Sequence, residues 1–394
     1  MTGTPVPGNG EDRAVRHVEE GFRRVFGADP DGVWAAPGRV NLIGEHTDYN
    51  DGFALPIAIP QNTLVAARRR RDGRLRLHSE QGEGPVIDLG VADLVPGAVT
   101  TWGAYPAGVV WALREAGHET GGADLHIDST VPTGAGLSSS AALECAVAFA
   151  YGDLYGLGLT PSALALIAQR AENGFAGVPC GMMDQMASAC CAAGQALHLD
   201  IRAGVHEQVP FAPETEGLRL LVVDTRVKHD LGDGAYAALR AGCERAAGLL
   251  GLAALRDLSP DDLPRAGRLL PAHLVPLVRH VVTENARVAE AVAHLRAGLV
   301  AALGPIISAG HASLRDDYAV SCAETDLVVD TALEAGALGA RMTGGGFGGS
   351  VIVLVAEEHA SALETAVTRA FRAAGYRAPH LFAVSPAPGA RRLA

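Results

Sequence analysis

Lysine is almost missing from this 394-residue chain: of its 32 Lys+Arg residues only Lys228 is a lysine. A Walker A loop needs Gly-Lys-Ser/Thr, and Lys228 sits in Val227-Lys228-His229. A Val-Ala-Ile-Lys strand and a His-Arg-Asp loop are also missing, so both common phosphate-handling kinase scaffolds are excluded. Cysteine is scarce. Cys145, Cys180, Cys190, Cys191, Cys243 and Cys322 form no C-x-x-C pair and no zinc-like spacing with histidine. Most lie in apolar stretches and read as buried free thiols of a reducing compartment. No apolar stretch reaches the ~18 residues of a membrane helix. Met1 to Asn9 have neither the charged nor the apolar region of a secretory leader. A soluble, cytoplasmic protein is expected. There is no basic excess: the net charge of −12 argues against a general nucleic-acid binder. The run Arg68 to Arg71 is followed by Asp72-Gly73 and reads as the solvated end of a hairpin.

What is present is ordinary for a globular chain. Apolar residues make up 48% and charged residues 19%, so disorder is not the main state. At roughly 150 residues per domain, the length suits two large domains or three small ones. The first ten residues read as a loose tail. Val15, Val18, Phe22 and Val25 mark one face of a helix stopped by Gly27. Strands are expected over 53–59, 63–67, 75–78, 124–131, 218–223, 351–355 and 380–384. Helices are expected over 139–157, 162–171 and 360–373, with long helical patterns between 236 and 337. The polar, Pro-containing stretch Asp200 to Pro213 is the expected seam between two lobes, 1–203 and 204–394. The chain is therefore read as a mixed α+β protein of two lobes.

Three segments carry chemistry. Pro132-Thr133-Gly134-Ala135-Gly136-Leu137-Ser138-Ser139-Ser140 lies between an expected strand and an expected helix. Glycines let backbone approach a phosphate, and a helix start offers free N–H groups at the positive end of its dipole. The same letters fit a glycine turn with a serine N-cap. They also begin a dinucleotide fingerprint, but its third position is Ser139 and two helices follow where a strand should. Gly344-Gly345-Gly346-Phe347-Gly348-Gly349 contains G-x-G-x-x-G with a helix before it and a strand after, the reverse of a dinucleotide site. It fits equally a tight crossing of backbones. In Pro37 to Tyr49, Arg39, Glu45, His46, Asp48 and Tyr49 crowd a Gly-bounded loop. Carboxylates, imidazole and phenol can hold sugar hydroxyls. Composition alone does not separate that from a surface loop with incidental charges.

Gly38-Arg39-Val40-Asn41-Leu42-Ile43-Gly44-Glu45-His46-Thr47-Asp48-Tyr49 resembles the signature of the galactokinase family. Gly134 to Ser140 with Ala141-Ala142 resembles the phosphate loop of the wider GHMP small-molecule kinases, and Thr343 to Gly349 their third motif. Further stretches are similar to galactokinases: Ala171 to Asn173, Cys180 to Gln185, Thr283 to Val288 and Ser313 to Tyr318. The resemblance runs from about Val33 to Val355.

It implies transfer of the γ-phosphoryl of ATP to the anomeric hydroxyl of α-D-galactose with Mg²⁺, the first committed step of galactose catabolism (the Leloir pathway). It implies a two-lobe α+β architecture, with an N-terminal ribosomal-S5-like lobe, a C-terminal ferredoxin-like lobe and the active site between them. On this resemblance Gly134, Ala135, Gly136, Leu137, Ser138, Ser139 and Ser140 cradle the nucleotide phosphates, with Ser79 and Trp102 as positional candidates for adenine. Ser140 and Glu172 hold Mg²⁺, which suits few protein oxygens plus phosphate oxygens. Read locally, Glu172 is a solvated helix-end carboxylate. Asp184 becomes the catalytic base and Arg39 its cationic partner, although Asp184 also fits a helix N-cap. Glu45, His46, Thr47, Asp48, Gly181 and Tyr236 contact the sugar. The partners implied are galactose and ATP, with no nucleic acid, membrane or obligate protein partner. A kinase for N-acetylgalactosamine, galacturonate or arabinose shares the signature loop. A sugar- and ATP-binding regulator without turnover, and a dehydrogenase, fit less well.

Overall fold

The protein is described from a computed structural model covering residues 8–82, 84–227 and 234–394; Lys228 and Asp233 lie outside the described residues. Helix α1 (Gly8–Phe26) is followed by strands β1 (Gly32–Asn41), β2 (Phe53–Ala54), β3 (Pro56–Arg70), β4 (Arg74–Ser79) and β5 (Ile87–Gly90). Then come α2 (Ala104–Glu115), β6 (Gly122–Ser129), α3 (Ser139–Leu154), α4 (Pro161–Ala171) and α5 (Met183–Cys190). Strands β7 (Gln195–Asp200), β8 (Val205–Pro210) and β9 (Leu218–Asp224) lead to α6 (Ala235–Leu250), α7 (Leu263–Leu269) and α8 (Val275–Arg296). The chain ends with α9 (Leu303–Asp316), α10 (Ala323–Glu334), β10 (Gly339–Thr343), β11 (Ser350–Ala356), α11 (Ala360–Ala374), β12 (His380–Val384) and β13 (Arg391–Arg392).

The strands form three sheets, ordered β13-β1-β3-β6-β4-β5, β10-β11-β9-β12 and β2-β7-β8. Helices α2 to α5 cover one face of the first sheet through a core that includes Trp34, Val65, Leu125, Tyr151 and Met186. Helix α1 covers the other face through Val18 and Phe22. A core around Val223, Phe371 and Tyr318 sits under the second sheet. A further core joins Val40, Leu42 and Ile57 from the N-terminal half to Val222, Ile307 and Ile352 from the C-terminal half. Each fully buried side chain of this kind contributes roughly 1.5–3 kcal/mol, so the two halves are welded rather than merely adjacent.

Several expectations need correction. The first ten residues are not all tail, because α1 begins at Gly8. Arg391, in β13, pairs with Glu11 in the first turn of α1, and local sequence cannot reveal that partner. The strands expected at 53–59 and 63–67 are one 15-residue strand, β3, preceded by the short β2. Its register against β1 shifts between Pro37 and Arg39, where Pro60 and Gln61 lie opposite. A bulge of this kind accommodates a proline that cannot donate to the ladder. The charged segment expected to be a loop from Pro37 begins as strand, with Pro37 to Asn41 inside β1. Residues Asp200 to Pro213 include β8, which pairs with β7. No helix among the described residues is long and apolar enough to cross a membrane.

Candidate active site

One cavity of about 280 Å³ collects most of the residues singled out in the sequence. Its floor is the turn from β6 into α3. Gly134 and Gly136 adopt φ of 74° and 72°, and Ser138 takes φ 58°. A non-glycine residue there costs of order 1–3 kcal/mol and is retained where the surroundings enforce it. Ser138 occupies the N-cap position of α3 but makes no capping bond. Its hydroxyl instead donates to Asp184 Oδ2 at 2.6 Å. Among the described residues no side chain caps the first N–H groups of α3, and Ser139 and Ser140 line the cavity. That is the arrangement an anionic ligand uses. Ala135 is not a lining residue: it is 2% exposed in the core, and its carbonyl accepts from Ser350. The glycine run of the third motif crosses this loop closely. A Cβ on Gly344 would stand 2.9 Å from the Gly136 carbonyl oxygen. Gly344 and Gly345 also line the cavity.

Arg39 projects from β1 where β3 bulges opposite it. Its Nε and Nη2 lie 2.9 and 2.7 Å from Asp184 Oδ1, and its Nη1 donates to the Gly136 carbonyl at 2.6 Å. Asp184 is not an N-cap. It lies inside the first turn of α5, where the helix dipole favours a carboxylate. Both its oxygens are engaged, by Arg39 and Ser138, and it still faces the cavity.

Glu172 ends α4 at a π-helical turn, and it is not solvated: 5% of it is exposed. Gln185 donates to its Oε2 at 2.6 Å and to Glu144 Oε2 at 3.1 Å. Burial, and then the Asp184 charge, push the Glu172 carboxyl up, while a Ser140 hydrogen bond pulls it down. Burial and the Glu172 charge also push Glu144 up, and Glu144 Oε1 has no partner among the described residues. No cluster of three or more Asp, Glu, His or Cys of metal-binding form occurs among the described residues. Carboxylates gathered around one hydroxyl beside a phosphate-type loop still fit Mg²⁺, which keeps water and phosphate oxygens as most of its ligands.

The signature loop is held from the C-terminal half. Glu284 on α8 accepts from the Gly44 N–H at 2.9 Å, and Asn285 accepts from the Phe53 N–H at 2.9 Å. Burial pushes Glu284 up, but Arg341 and Arg287 bring it down to about 2. Glu45 Oε1 accepts from the Gly344 N–H at 2.7 Å, tying the signature loop to the third motif. Thr47 does not line the cavity; its hydroxyl lies 2.8 and 2.6 Å from the Gly44 and Phe53 carbonyl oxygens and braces the loop. Asp48 faces the cavity, and burial, with Asp184 and Glu45 nearby, pushes it up to about 6. A Cβ on Gly181 would stand 1.7 Å from Asp48 Oδ2, so any other residue there must push the Asp48 carboxylate aside. His46 takes φ 61°, lines the cavity, and is held down at about 3 by burial and by His280. Tyr236, at the start of α6, completes the wall.

Ser79 and Trp102 lie together, flanking Gly82, but neither lines the cavity. The sequence reading missed Tyr105 and Cys180 as lining residues. It also missed Glu284, Asn285 and Arg341, which hold the loop. Glu284 and Asn285 stand in a stretch that resembles galactokinases, and Arg341, on β10, in none; nothing in local pattern ties α8 to residues some 240 positions earlier.

Comparison with known proteins fits this geometry. The galactokinase galactose-binding signature matches residues 20–69, the GHMP kinases N terminal domain 104–192, and the GHMP kinases C terminal 290–373. Galactokinase of Streptomyces coelicolor is 59% identical over 378 residues, 95% of this chain and 98% of that one. Galactokinase of Chloroflexus aurantiacus is 47% identical over 88% of this chain and 89% of that one. The structure of Lactococcus lactis galactokinase complexed with galactose superposes with TM-score 0.92 at 33% identity, covering 96% of this chain and all of that one. Mevalonate kinase of Methanococcus jannaschii shares the fold at 17% identity, with TM-score 0.61 over 90% of this chain and 98% of that one. Fold and site thus define a GHMP small-molecule kinase, with the two-lobe α+β architecture of that class. Within it the chain belongs to the galactokinase family and is an ATP-dependent sugar kinase.

Proposed function

We propose that this kinase transfers the γ-phosphoryl group of ATP to the anomeric hydroxyl of α-D-galactose, giving α-D-galactose 1-phosphate and ADP. One observation carries the reading: a single cavity joins an uncapped helix start to the signature loop, with Asp184 between them on Arg39 and Ser138. The N–H groups of 134–140 bind the phosphates, and Glu45, His46, Asp48, Gly181 and Tyr236 surround the sugar. Asp184 accepts the hydrogen bond of the attacking hydroxyl and takes its proton as the new O–P bond forms and the bond to the β-phosphate oxygen breaks. In a loose transition state that proton moves late, so orientation is the larger part of the role. Arg39 holds Asp184 in place and offsets charge as the phosphoryl moves. Ser140 and Glu172 would hold Mg²⁺, which when bound offsets charge on the phosphates. We further assign the lobes to 1–203 and 204–394, dividing at the turn between β7 and β8, and the enzyme to the cytoplasm. Its six free cysteines support a reducing compartment.

The test is ADP release with Mg-ATP across galactose, N-acetylgalactosamine, glucose, arabinose and galacturonate, with Asp184→Ala alongside. Preference for galactose and a loss of about 10²–10⁴-fold in the variant are expected. Preference for another sugar would keep the chemistry and change the substrate. Galactose-dependent thermal stabilisation without turnover would overturn the catalytic reading.

A further inference from the structure

Residues Glu172 to Gly181 run from the phosphate side of the cavity to its sugar side. Glu172 opens a π-helical turn, Glu172–Ala176, which Phe175 anchors in the core against Trp111. Gly177, left-handed at φ 77°, ends that turn, and the Val178 N–H donates to the Glu172 carbonyl at 3.0 Å. From there to α5 the main chain is held by one side chain. Asn173 Oδ1 accepts from the Cys180 N–H at 2.7 Å, and Asn173 Nδ2 donates to the Cys180 carbonyl at 3.1 Å. The amide can sit only this way round, because a main-chain N–H only donates and a carbonyl only accepts. No other hydrogen bond reaches the main chain of Pro179, Cys180 or Gly181 among the described residues. Asn173 itself is exposed and does not line the cavity.

We infer that Asn173 is a positioning residue for the sugar: it clamps the Cys180 main chain and so holds Gly181 against Asp48, although in sequence it adjoins Glu172 on the phosphate side. The inference rests on the sugar-kinase reading of this cavity. The clamp lies one residue from the contact it governs, and a trans peptide sets the Gly181 Cα about 3.8 Å from that of Cys180. That contact has no slack, since a Cβ on Gly181 would stand 1.7 Å from Asp48 Oδ2. Without Asn173, Pro179 to Gly181 would keep no main-chain hydrogen bond, and the glycines at 177 and 181 let the chain wander. The Cys180 thiol, 3.5 Å from Glu172 Oε2, is a weak donor and does not replace the amide. The neighbouring groups are secured by other means. Gln185 donates to Glu172 Oε2 at 2.6 Å, and Arg39 and Ser138 hold Asp184. Loss of the clamp therefore acts on sugar binding and spares the metal ligand and the base.

The test is Asn173→Ala in the full-length protein. Hydrogen exchange read by mass spectrometry should quicken in the peptide covering 177–182 and stay as in the wild type elsewhere. The galactose KM, and the galactose Kd measured by calorimetry without nucleotide, should each rise about tenfold, the size of one net hydrogen bond. The kcat, the Mg²⁺ concentration for half-maximal rate and the melting temperature should change little. Faster exchange with unchanged galactose KM and Kd would show a structural staple alone and overturn the inference. A half-maximal Mg²⁺ concentration that rises as far as the galactose KM would also overturn it, because the clamp would then serve Glu172. Wild-type protein that neither binds nor phosphorylates galactose would overturn the sugar reading, and this inference with it. Wild-type turnover beside an unaffected variant would overturn the inference alone.

Discussion

Asp48 and Gly181 show how little room the site leaves at single positions. The carboxylate of Asp48 fills the space where any side chain at 181 would begin. Gly181→Ala must therefore displace Asp48. We expect the galactose KM to rise at least about tenfold, one hydrogen bond's worth, with the melting temperature nearly unchanged; steady-state kinetics and a thermal melt check both. Glu172 makes the matching case on the phosphate side. Its buried carboxylate is held by Gln185 among other acids. Glu172→Gln keeps the shape and removes the charge. The Mg²⁺ concentration for half-maximal rate should rise by about 10–100-fold, measured by titrating Mg²⁺ at fixed ATP and galactose. Arg39, Asp184, His46 and Gly181 were legible in the sequence because they stand in a contiguous pattern. Thr47 and Ala135 stood in the same patterns, yet the structure turns both toward the protein. A linear motif does not say which way each side chain faces.

At the scale of elements, the signature loop is shaped less by its own residues than by α8. Glu284 receives the Gly44 N–H and faces Arg341 and Arg287, all in buried or nearly buried positions. Removing one charge from such a cluster leaves the others uncompensated and costs about 3–5 kcal/mol. Glu284→Gln keeps an acceptor for the loop but not the charge. We expect that loss in a urea melt, together with a raised galactose KM as the loop loosens. Asn285→Ala removes only the acceptor for the Phe53 N–H and should cost about 1–3 kcal/mol. Helix existence was readable where the apolar spacing was regular, as in α1, and where alanine dominates, as in α3 and α4. The bulged β3 was split in the sequence reading because Pro60 looks like a strand end, and only its partner β1 shows that the strand continues.

For the whole molecule, pH acts through buried groups that pull in opposite directions. His46, His126 and His280 are kept neutral by burial, with pKa values near 3, 4 and 4. An unfolded histidine takes up its proton near 6.5, so below that pH protons favour the unfolded chain. The stability these histidines contribute should fall from about pH 6.5 down to about 4, by up to about 1.4 kcal/mol per pH unit for each. Asp48 works the other way. Its folded pKa, about 6, lies above the ordinary 3.8, so acidification between those values favours the folded state and offsets part of one histidine. Glu284, held near 2, adds a further loss below about 4.5. Glu45, Glu144 and Glu172, also pushed up by burial, add to the Asp48 offset, so the histidine part is read as a difference. Between pH 7.5 and 4.5 the urea midpoint of His126→Gln should fall less than that of the wild type, and parallel profiles would show that His126 is not held neutral as described.

The sequence by itself determined the class of chemistry. Its phosphate loop, signature loop and third motif are short contiguous patterns whose glycines and charged residues carry information locally, and the near-absence of lysine excluded the commoner kinase loops. Tertiary structure alone decided how those pieces meet. Arg39 reaches Asp184 across 145 positions, and Glu284 reaches the signature loop across 240. Such bonds depend on how the sheets and helices pack, and packing energy is summed over surfaces from distant segments rather than along neighbouring residues. That is why Glu172 looked solvated in isolation and proved buried, and why a serine that local sequence also allowed as the cap of α3 instead holds the carboxylate at the centre of the site.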